Sequence, residues 1–227
     1  MEDCLTSDDL TQVLVRHFRV LALGGVAVIA HGFGRNTHDA DIWVEPMATA
    51  AEWAKAIGVF LYTGRHHPIA IGTWQPIKQT ELANVIARDG VVRIIGLDRP
   101  LDIFRDPNEI DMASFDEVWS RAQALEDGTR LPDAVDLLLS KQDTGRDKDL
   151  QDIAFLEAKI EREYLEKLPR VDETSALQML ERFLTPKVAE TALSHPSNTI
   201  RELGMRFLHE LADEGNPFAA EILRKLG

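Results

Sequence analysis

The segment that most constrains the fold is residues 20–44, where an apolar run, two glycines and an alternating stretch follow one another. Val20 to Leu23 is uniformly apolar and predicts a short buried strand that ends at Gly24-Gly25. The small apolar run from Val26 to Ala30 predicts one or two helical turns. From His38 to Val44 polar and apolar residues alternate, which is typical of a half-buried strand. We therefore expect a strand, a tight turn, a short helix and a second strand.

The second predicted strand carries two aspartates, Asp39 and Asp41. Alternation places both carboxylates on one face, with their Cβ atoms roughly 6.5–7 Å apart. Two like charges held together cost free energy unless they are protonated or bridged by a cation. Mg²⁺ is the natural cation for donors that are all oxygen. Taken alone, the pair has an alternative interpretation as ordinary solvated acids on an exposed strand face.

Two further features extend this pattern. Gly24 and Gly25 lead from a strand into a helix, where exposed backbone N–H groups suit the phosphates of a nucleotide. Asp102 lies between apolar neighbours at strand spacing, which distinguishes it from three nearby aspartates: Asp98, Asp106 and Asp111. If its strand lies beside the first, three carboxylates converge as in a two-metal site for phosphoryl or nucleotidyl transfer.

Eight residues of the segment match one pattern, Gly-Gly-x-Ala-x-x-x-x-Gly-x-x-Arg-x-Thr-x-Asp-x-Asp. The matching residues are Gly24, Gly25, Ala27, Gly32, Arg35, Thr37, Asp39 and Asp41. This pattern resembles the DNA-polymerase-β-like nucleotidyltransferases in their minimal bacterial form. The subgroup with this pattern includes the nucleotidyltransferase toxins of abortive-infection toxin–antitoxin systems.

A second block supports the resemblance, which then covers roughly residues 17–160. Such proteins often continue with a helix that ends in Lys, followed by Arg-x-Lys-Asp-x-x-Asp at the start of the next helix. The corresponding residues are Lys141 and then Arg146, Lys148, Asp149 and Asp152.

The resemblance implies that Asp39, Asp41 and Asp102 bind magnesium, with a two-metal site expected. Asp102 would also act as the base toward the acceptor hydroxyl. The implied reaction moves a nucleoside monophosphate from an NTP to an RNA, a protein or a small molecule. A cognate antitoxin protein is a further expected partner if the chain is a toxin. The alternative function is a catalytically inactive module of the same fold that binds a nucleotide or a partner.

The resemblance also implies nucleotide-binding residues. Gly24 and Gly25 would hold phosphates through backbone N–H groups, and Arg35 would contact phosphate. Thr37 is expected to order the loop before the strand. Lys141 would reach a phosphate or the charge that develops on the leaving pyrophosphate, with a plain surface lysine as the alternative.

The charge of the chain limits its partners. Its formal net charge of −13 is spread along the sequence without a basic stripe, which disfavours broad binding of duplex DNA. No apolar stretch is long enough to span a membrane, and the residues after Met1 lack a signal-peptide pattern. The single cysteine excludes an intramolecular disulfide. A cytoplasmic location is the resulting expectation.

The order of elements predicts an α+β fold, with a small mixed sheet flanked by helices and an α-helical C-terminal region. We expect the nucleotidyltransferase core at residues 1–131 and the helical domain at residues 132–227. A helix is predicted from Met47 to Ile57 and strands at Val59 to Tyr62 and Ile69 to Ile71. Val91 to Ile95 and Leu101 to Phe104 are expected to form a hairpin.

Overall fold

The order of the strands in one mixed sheet determines which side chains come together. The computed structural model describes residues 5–61, 67–71, 73–105, 107, 115–142 and 147–226. Within these residues the strands are β1 (Val20–Leu23), β2 (Ala40–Val44), β3 (His67–Ala70), β4 (Gln75–Pro76), β5 (Val91–Ile95), β6 (Leu101–Phe104), β7 (Gln123–Ala124) and β8 (Arg130–Leu131). They form an eight-stranded sheet in the order β4-β3-β5-β6-β2-β1-β8-β7.

Helices flank the sheet and make up the whole C-terminal region, which confirms the predicted α+β class. The α-helices of the described residues are α1 (Ser7–Val15), α2 (Gly24–Ala30), α3 (Ala50–Leu61), α4 (Leu82–Asp89), α5 (Phe115–Arg121), α6 (Ala134–Leu139), α7 (Asp147–Lys167), α8 (Glu173–Arg182), α9 (Pro186–Ala192), α10 (Asn198–Asp213) and α11 (Pro217–Leu226). In the part of the chain that the structure describes, no helix is both long enough and apolar enough to cross a membrane.

The pairing of the central strands follows from hairpins and one crossover. β1 and β2 are antiparallel, and so are β5 and β6, as the predicted hairpin requires. β2 and β6 pair in parallel, because the chain between them crosses over through α3, β3 and α4. The strand that carries Asp102 therefore lies directly beside the strand that carries Asp41.

The two faces of the sheet differ in what covers them. Alternate residues of β2, such as Ile42 and Val44, join a large apolar core with residues of α1, α3 and α4. On the opposite face Trp43 packs against Phe115 of α5 in a smaller apolar cluster. Because Asp41 alternates with Ile42, it projects from the same face as Trp43. Asp41 thus shares a face with the small apolar cluster and lies away from the large core.

The structure corrects the boundaries of the first long helix. The predicted helix from Met47 to Ile57 begins at Ala50, because Thr49 and Glu52 cap it: the Thr49 N–H donates to Glu52 Oε2 at 2.7 Å, and the Glu52 N–H to Thr49 Oγ1 at 3.2 Å. The predicted strand from Val59 to Tyr62 is wrong up to Leu61, where α3 ends, and Tyr62 lies outside the described residues. A short apolar run alone does not distinguish a buried strand from a helix.

Two compact units make up the chain, Met1–Ile153 and Ala154–Gly227. The domain boundary that the sequence places after residue 131 stays a prediction. Within the first unit, side chains that follow α6 bond to an earlier loop, because Lys141 and Asp152 belong to one ion cluster with Arg35.

The second unit has a helical core of its own. Ala189, Leu208 and Ala219 are fully buried in one apolar cluster of α9, α10 and α11. Gly204 lets α10 approach α9 closely, since a Cβ there would lie 2.7 Å from the carbonyl oxygen of Ala189. His195 is buried and connects two loops of this unit. Its Nε2, in the loop after α9, lies 3.0 Å from the carbonyl oxygen of Val171, in the loop before α8.

Candidate active site

Three of the predicted acids lie on the central strands of the sheet. Asp41 on β2 stands directly opposite Asp102 on β6. Asp39 precedes β2 by one residue, because the strand begins at Ala40 and not at His38 as the sequence predicts. The side chain of Asp39 is 25% exposed and that of Asp102 only 7%. The parallel pairing of β2 and β6 therefore brings the predicted acids to one part of the sheet.

Arg93 also belongs to this cluster, although the sequence motif does not include it. It lies on β5 opposite Asp102. Its Nε and Nη2 donate to Asp102 Oδ1 and Oδ2, each at 2.6 Å, and Nη2 lies 3.8 Å from Asp39 Oδ2. The hydrogen bonds to Asp102 raise the pKa of Arg93, and the charges of Asp102, Asp39 and Asp41 add to this effect against the cost of burial. The guanidinium is therefore a permanent cation among the carboxylates.

The signal for Arg93 was present in its strand. Val92 and Ile94 are buried in the large core, so alternation turns Arg93 to the face that carries the acids. In a hairpin with Leu101–Phe104, such a residue lies across from Asp102.

Gly24 and Gly25 are required by the packing around them. Gly24 has φ +59°, and a Cβ there would lie 1.8 Å from Asp41 Oδ2. A Cβ on Gly25 would lie 2.5 Å from Thr37 Oγ1 and 2.9 Å from Arg35 Nη2. The absence of side chains lets Asp41, Thr37 and Arg35 lie against the start of α2. This close approach explains the two glycines, and a role in holding phosphate stays a prediction.

Thr37 fixes the residue that precedes β2. Its hydroxyl lies 3.1 Å from Asp39 Oδ1 and 3.2 Å from the Asp39 carbonyl oxygen. Because the hydroxyl donates to this residue, it orients the Asp39 carboxylate and orders the turn before the strand. The role in loop order that the sequence suggested for Thr37 agrees with these contacts.

Arg35 and Lys141 meet in a buried ion cluster. Arg35 Nη2 bonds Asp152 Oδ2 at 2.7 Å. Lys141 Nζ lies 2.9 Å from the same oxygen and 3.1 Å from Asp149 Oδ1. The side chain of Lys141 is only 5% exposed, so it is not a surface lysine. The second sequence block therefore bonds to the first through Asp152, and Lys141 touches carboxylates here.

Two atoms of this cluster lack partners. Arg35 Nε and Asp152 Oδ1 are buried and have no hydrogen-bond partner among the described residues. An unpaired polar atom in a buried position costs free energy. Arg35 also lies beside Gly25. A polar ligand at this position would supply the hydrogen bond that Arg35 Nε lacks.

The remaining candidates are placed elsewhere or lie outside the described residues. Asp98 accepts the backbone N–H of Ser7 at 2.6 Å and so serves the start of α1. Trp43 packs edge-on against Phe115 with ring centroids 4.9 Å apart and donates its Nε1–H to the carbonyl oxygen of Arg105, so it is a packing residue. The residues that the structure describes do not include Asp106, Asp111, Arg146 or the side chain of Lys148.

The carboxylates fit a magnesium ion only in part. Among the residues that the structure describes, no group of three or more His, Cys, Asp or Glu is arranged to hold a metal ion. Arg93 engages both oxygens of Asp102, the third predicted ligand. Asp39 and Asp41 still supply oxygen donors of the type that Mg²⁺ binds. The donor chemistry fits an ion at this pair, and a third carboxylate ligand would require Arg93 to move.

No protein-family model matches the chain, and no curated protein matches it.

Proposed function

We propose that this protein is a magnesium-dependent nucleotidyltransferase. It would transfer a nucleoside monophosphate from an NTP to a hydroxyl group of an RNA, a protein or a small molecule. The observation that carries the proposal is the set of acids at the sheet centre. Asp41 lies opposite Asp102, Asp39 is two residues from Asp41, and Gly24 accommodates the Asp41 carboxylate.

The reaction exchanges one phosphoester linkage for another. The acceptor oxygen forms a bond to the α-phosphorus of the NTP, and the bond from that phosphorus to the bridging oxygen of the β-phosphate breaks. Pyrophosphate leaves with the electron pair, and the acceptor proton passes to a base or to water. Mg²⁺, when bound, would neutralise the charge on the phosphates.

Each residue of the site would have a distinct task. Asp39 and Asp41 would hold the metal, with Asp39 oriented by the hydroxyl of Thr37. Arg35 would bind phosphate beside Gly25, where its guanidinium already lies. Carboxylates that hold a cation and a guanidinium that binds phosphate are the usual parts of such sites.

Lys141 is better suited to support Arg35 than to contact phosphate. Its Nζ bonds Asp149 and Asp152, and Asp152 in turn bonds Arg35. We therefore assign Lys141 the role of a positioning residue that acts through Asp152. This revises the direct phosphate contact that the sequence resemblance implies.

A second candidate function is a module of the same fold that binds a nucleotide or a partner protein without catalysis. The observation that favours it is Arg93, which engages the third carboxylate with two hydrogen bonds. A site inactivated by an internal cation would bind nucleotide without transfer. The resemblance to toxin nucleotidyltransferases makes an antitoxin protein the partner to test by co-expression.

The two candidates differ in label transfer. Purified protein is incubated with each α-³²P-labelled NTP, MgCl₂ and either total RNA or cell lysate, and labelled products are separated on gels. We expect transfer by the parent protein and a loss of at least about 100-fold in Asp39→Asn and Asp41→Asn, as for other groups that stabilise transition-state charge.

The matched control is Asp213→Asn, which removes one charge from an exposed position on α10. It should transfer label as the parent does. Nucleotide binding without transfer would favour the second candidate. Absence of both binding and transfer with all four NTPs would contradict the enzyme and the nucleotide-binding form of the second candidate.

A further inference from the structure

We propose that Arg93 is a built-in cation of the candidate active site, so that its guanidinium replaces a second metal ion and the chain binds a single divalent cation. This inference rests on the proposed function. It alters the two-metal expectation that followed from the sequence resemblance. It also gives a task to a residue that the motif does not contain.

The backbone places Arg93 at the acids. Three adjacent strands align their side chains in one row, with Arg93 of β5 opposite Asp102 of β6 and Asp102 opposite Asp41 of β2. Their neighbours along the strands, such as Ile94 and Ile103, are buried in the core on the other face. The position of the guanidinium is therefore set by strand register and does not depend on a flexible loop.

The contacts of Arg93 occupy the third carboxylate. Both oxygens of Asp102 accept hydrogen bonds of 2.6 Å, and Asp39 Oδ2 lies 3.8 Å from Nη2. The Arg93 side chain is 21% exposed and that of Asp102 is 7% exposed. Bidentate pairs between arginine and carboxylate are among the stronger charge-assisted interactions. A second metal ion at Asp102 would have to displace both bonds.

The charge of the cluster also matches one divalent ion. Counted formally, three carboxylates (Asp39, Asp41 and Asp102) and one guanidinium (Arg93) leave two net negative charges. One Mg²⁺ neutralises these charges. A second ion would add positive charge beside the guanidinium, which repels it.

The indole ring of Trp74 also contacts the Arg93 guanidinium. The guanidinium carbon lies 5.4 Å from the centroid of the indole ring, within the range of a cation–π interaction. Trp74 is 60% exposed and is the one described residue other than glycine with a positive φ, 55°. Bulky residues rarely adopt that conformation. Arg93 is thus fixed between an aromatic ring and two carboxylates, as a preorganised charge requires.

Counting bound Mn²⁺ tests this assignment without reference to activity. The full-length protein is titrated with Mn²⁺, and the free ion is measured by electron paramagnetic resonance. We expect one bound ion per chain in the parent and two in Arg93→Met, where Asp102 is released. Arg93→Lys, which keeps the charge, should bind one ion.

Arg88→Met is the matched control. Arg88 makes a similar two-bond pair with Asp89, but its side chain is 66% exposed at the end of α4. This variant should bind one ion, like the parent. Two ions in the parent, or one ion in a folded Arg93→Met, would overturn the role of Arg93.

Asp102→Asn keeps the test decisive if Arg93→Met does not fold. If Asp102 serves Arg93 and not the metal, the Asn variant still binds one ion, and a loss of that ion would overturn the inference. The outcome also separates the two proposals. Two ions in a parent that transfers label overturn only this inference, whereas no bound ion and no transfer overturn the proposed function as well.

Discussion

Lys141 illustrates how the surroundings of one residue decide its role. The sequence offers a lysine at a helix end, for which a phosphate contact and an exposed position are equally reasonable. In the structure its ammonium group is buried between Asp149 and Asp152. Because Asp152 also bonds Arg35, each charge of the cluster depends on the others for its compensation.

Removal of the Lys141 charge should therefore destabilise the fold. We expect Lys141→Met to lower the free energy of unfolding by about 3–5 kcal/mol, the usual cost of breaking a buried ion pair by deleting one partner. Urea denaturation followed by circular dichroism measures the change.

The control for this prediction is Lys167→Met on α7. Lys167 Nζ bonds Glu163 at 3.0 Å, but the lysine side chain is 60% exposed. An exposed pair of this type contributes about 0.3–0.5 kcal/mol. Equal effects of the two substitutions would show that the Lys141 cluster is not a structural unit.

Among the secondary-structure elements, hydrogen bonds that involve side chains fix where two helices begin. At α1 the backbone N–H and hydroxyl of Thr6 each donate to Asp9 Oδ2 at 2.8 Å. At α3 the same two groups of Thr49 donate to Glu52. These hydrogen bonds lower the pKa of Asp9 and of Glu52. The two helices therefore depend on the ionised form of their capping acids.

The stability of the protein should fall on acidification, and these two caps should contribute to the fall. A group whose pKa is lower in the folded state stabilises fully above its unfolded pKa, near 3.8 for Asp and 4.5 for Glu. That contribution is lost as the pH falls through the folded values. Asp9→Asn with Glu52→Gln should therefore differ from the parent at pH 7 and approach it near pH 3.

Thermal unfolding across this pH range measures the difference. The control pair, Asp213→Asn with Glu190→Gln, removes the same two charges from exposed positions. A gap between parent and capping variant that stays constant down to pH 3 would contradict the role of the caps.

The whole molecule carries a formal net charge of −13, and the few cations at the candidate site are paired with acids. Affinity for duplex DNA comes mainly from lysine and arginine contacts to phosphates. Nothing in the distribution of charge along the sequence favours such binding. Under the proposed function, the site would instead bind a single nucleotide through Arg35 and a metal ion.

We accordingly expect no saturable binding of a labelled DNA duplex at about 150 mM salt and protein concentrations up to about 10 μM. Fluorescence anisotropy measures it. Binding that saturates in this range and weakens steeply with salt would contradict the prediction and reveal a basic surface formed by the fold.

The sequence by itself determined the local structure and the candidate acids. Uniform apolarity indicated β1, alternation indicated β2, and a β-branched run followed by a turn indicated the hairpin of β5 and β6. The spacing of Asp39 and Asp41 indicated a pair of neighbouring acids, although Asp39 precedes β2. These properties depend on residues that are neighbours along the chain, so they can be predicted from one sequence alone. Its errors, such as a strand in place of the end of α3, arose where an apolar run fits both periods.

Only the tertiary structure decided which distant residues meet. The parallel pairing of β2 with β6 set Asp102 opposite Asp41, and the register of β5 placed Arg93 on Asp102. Burial of Lys141 with Asp152 likewise depends on packing between separate helices and the loop of Arg35. Strand order and register follow from the packing of the whole core and not from local preference. For that reason the sequence indicated the acids, whereas the fold supplied the cation that accompanies them.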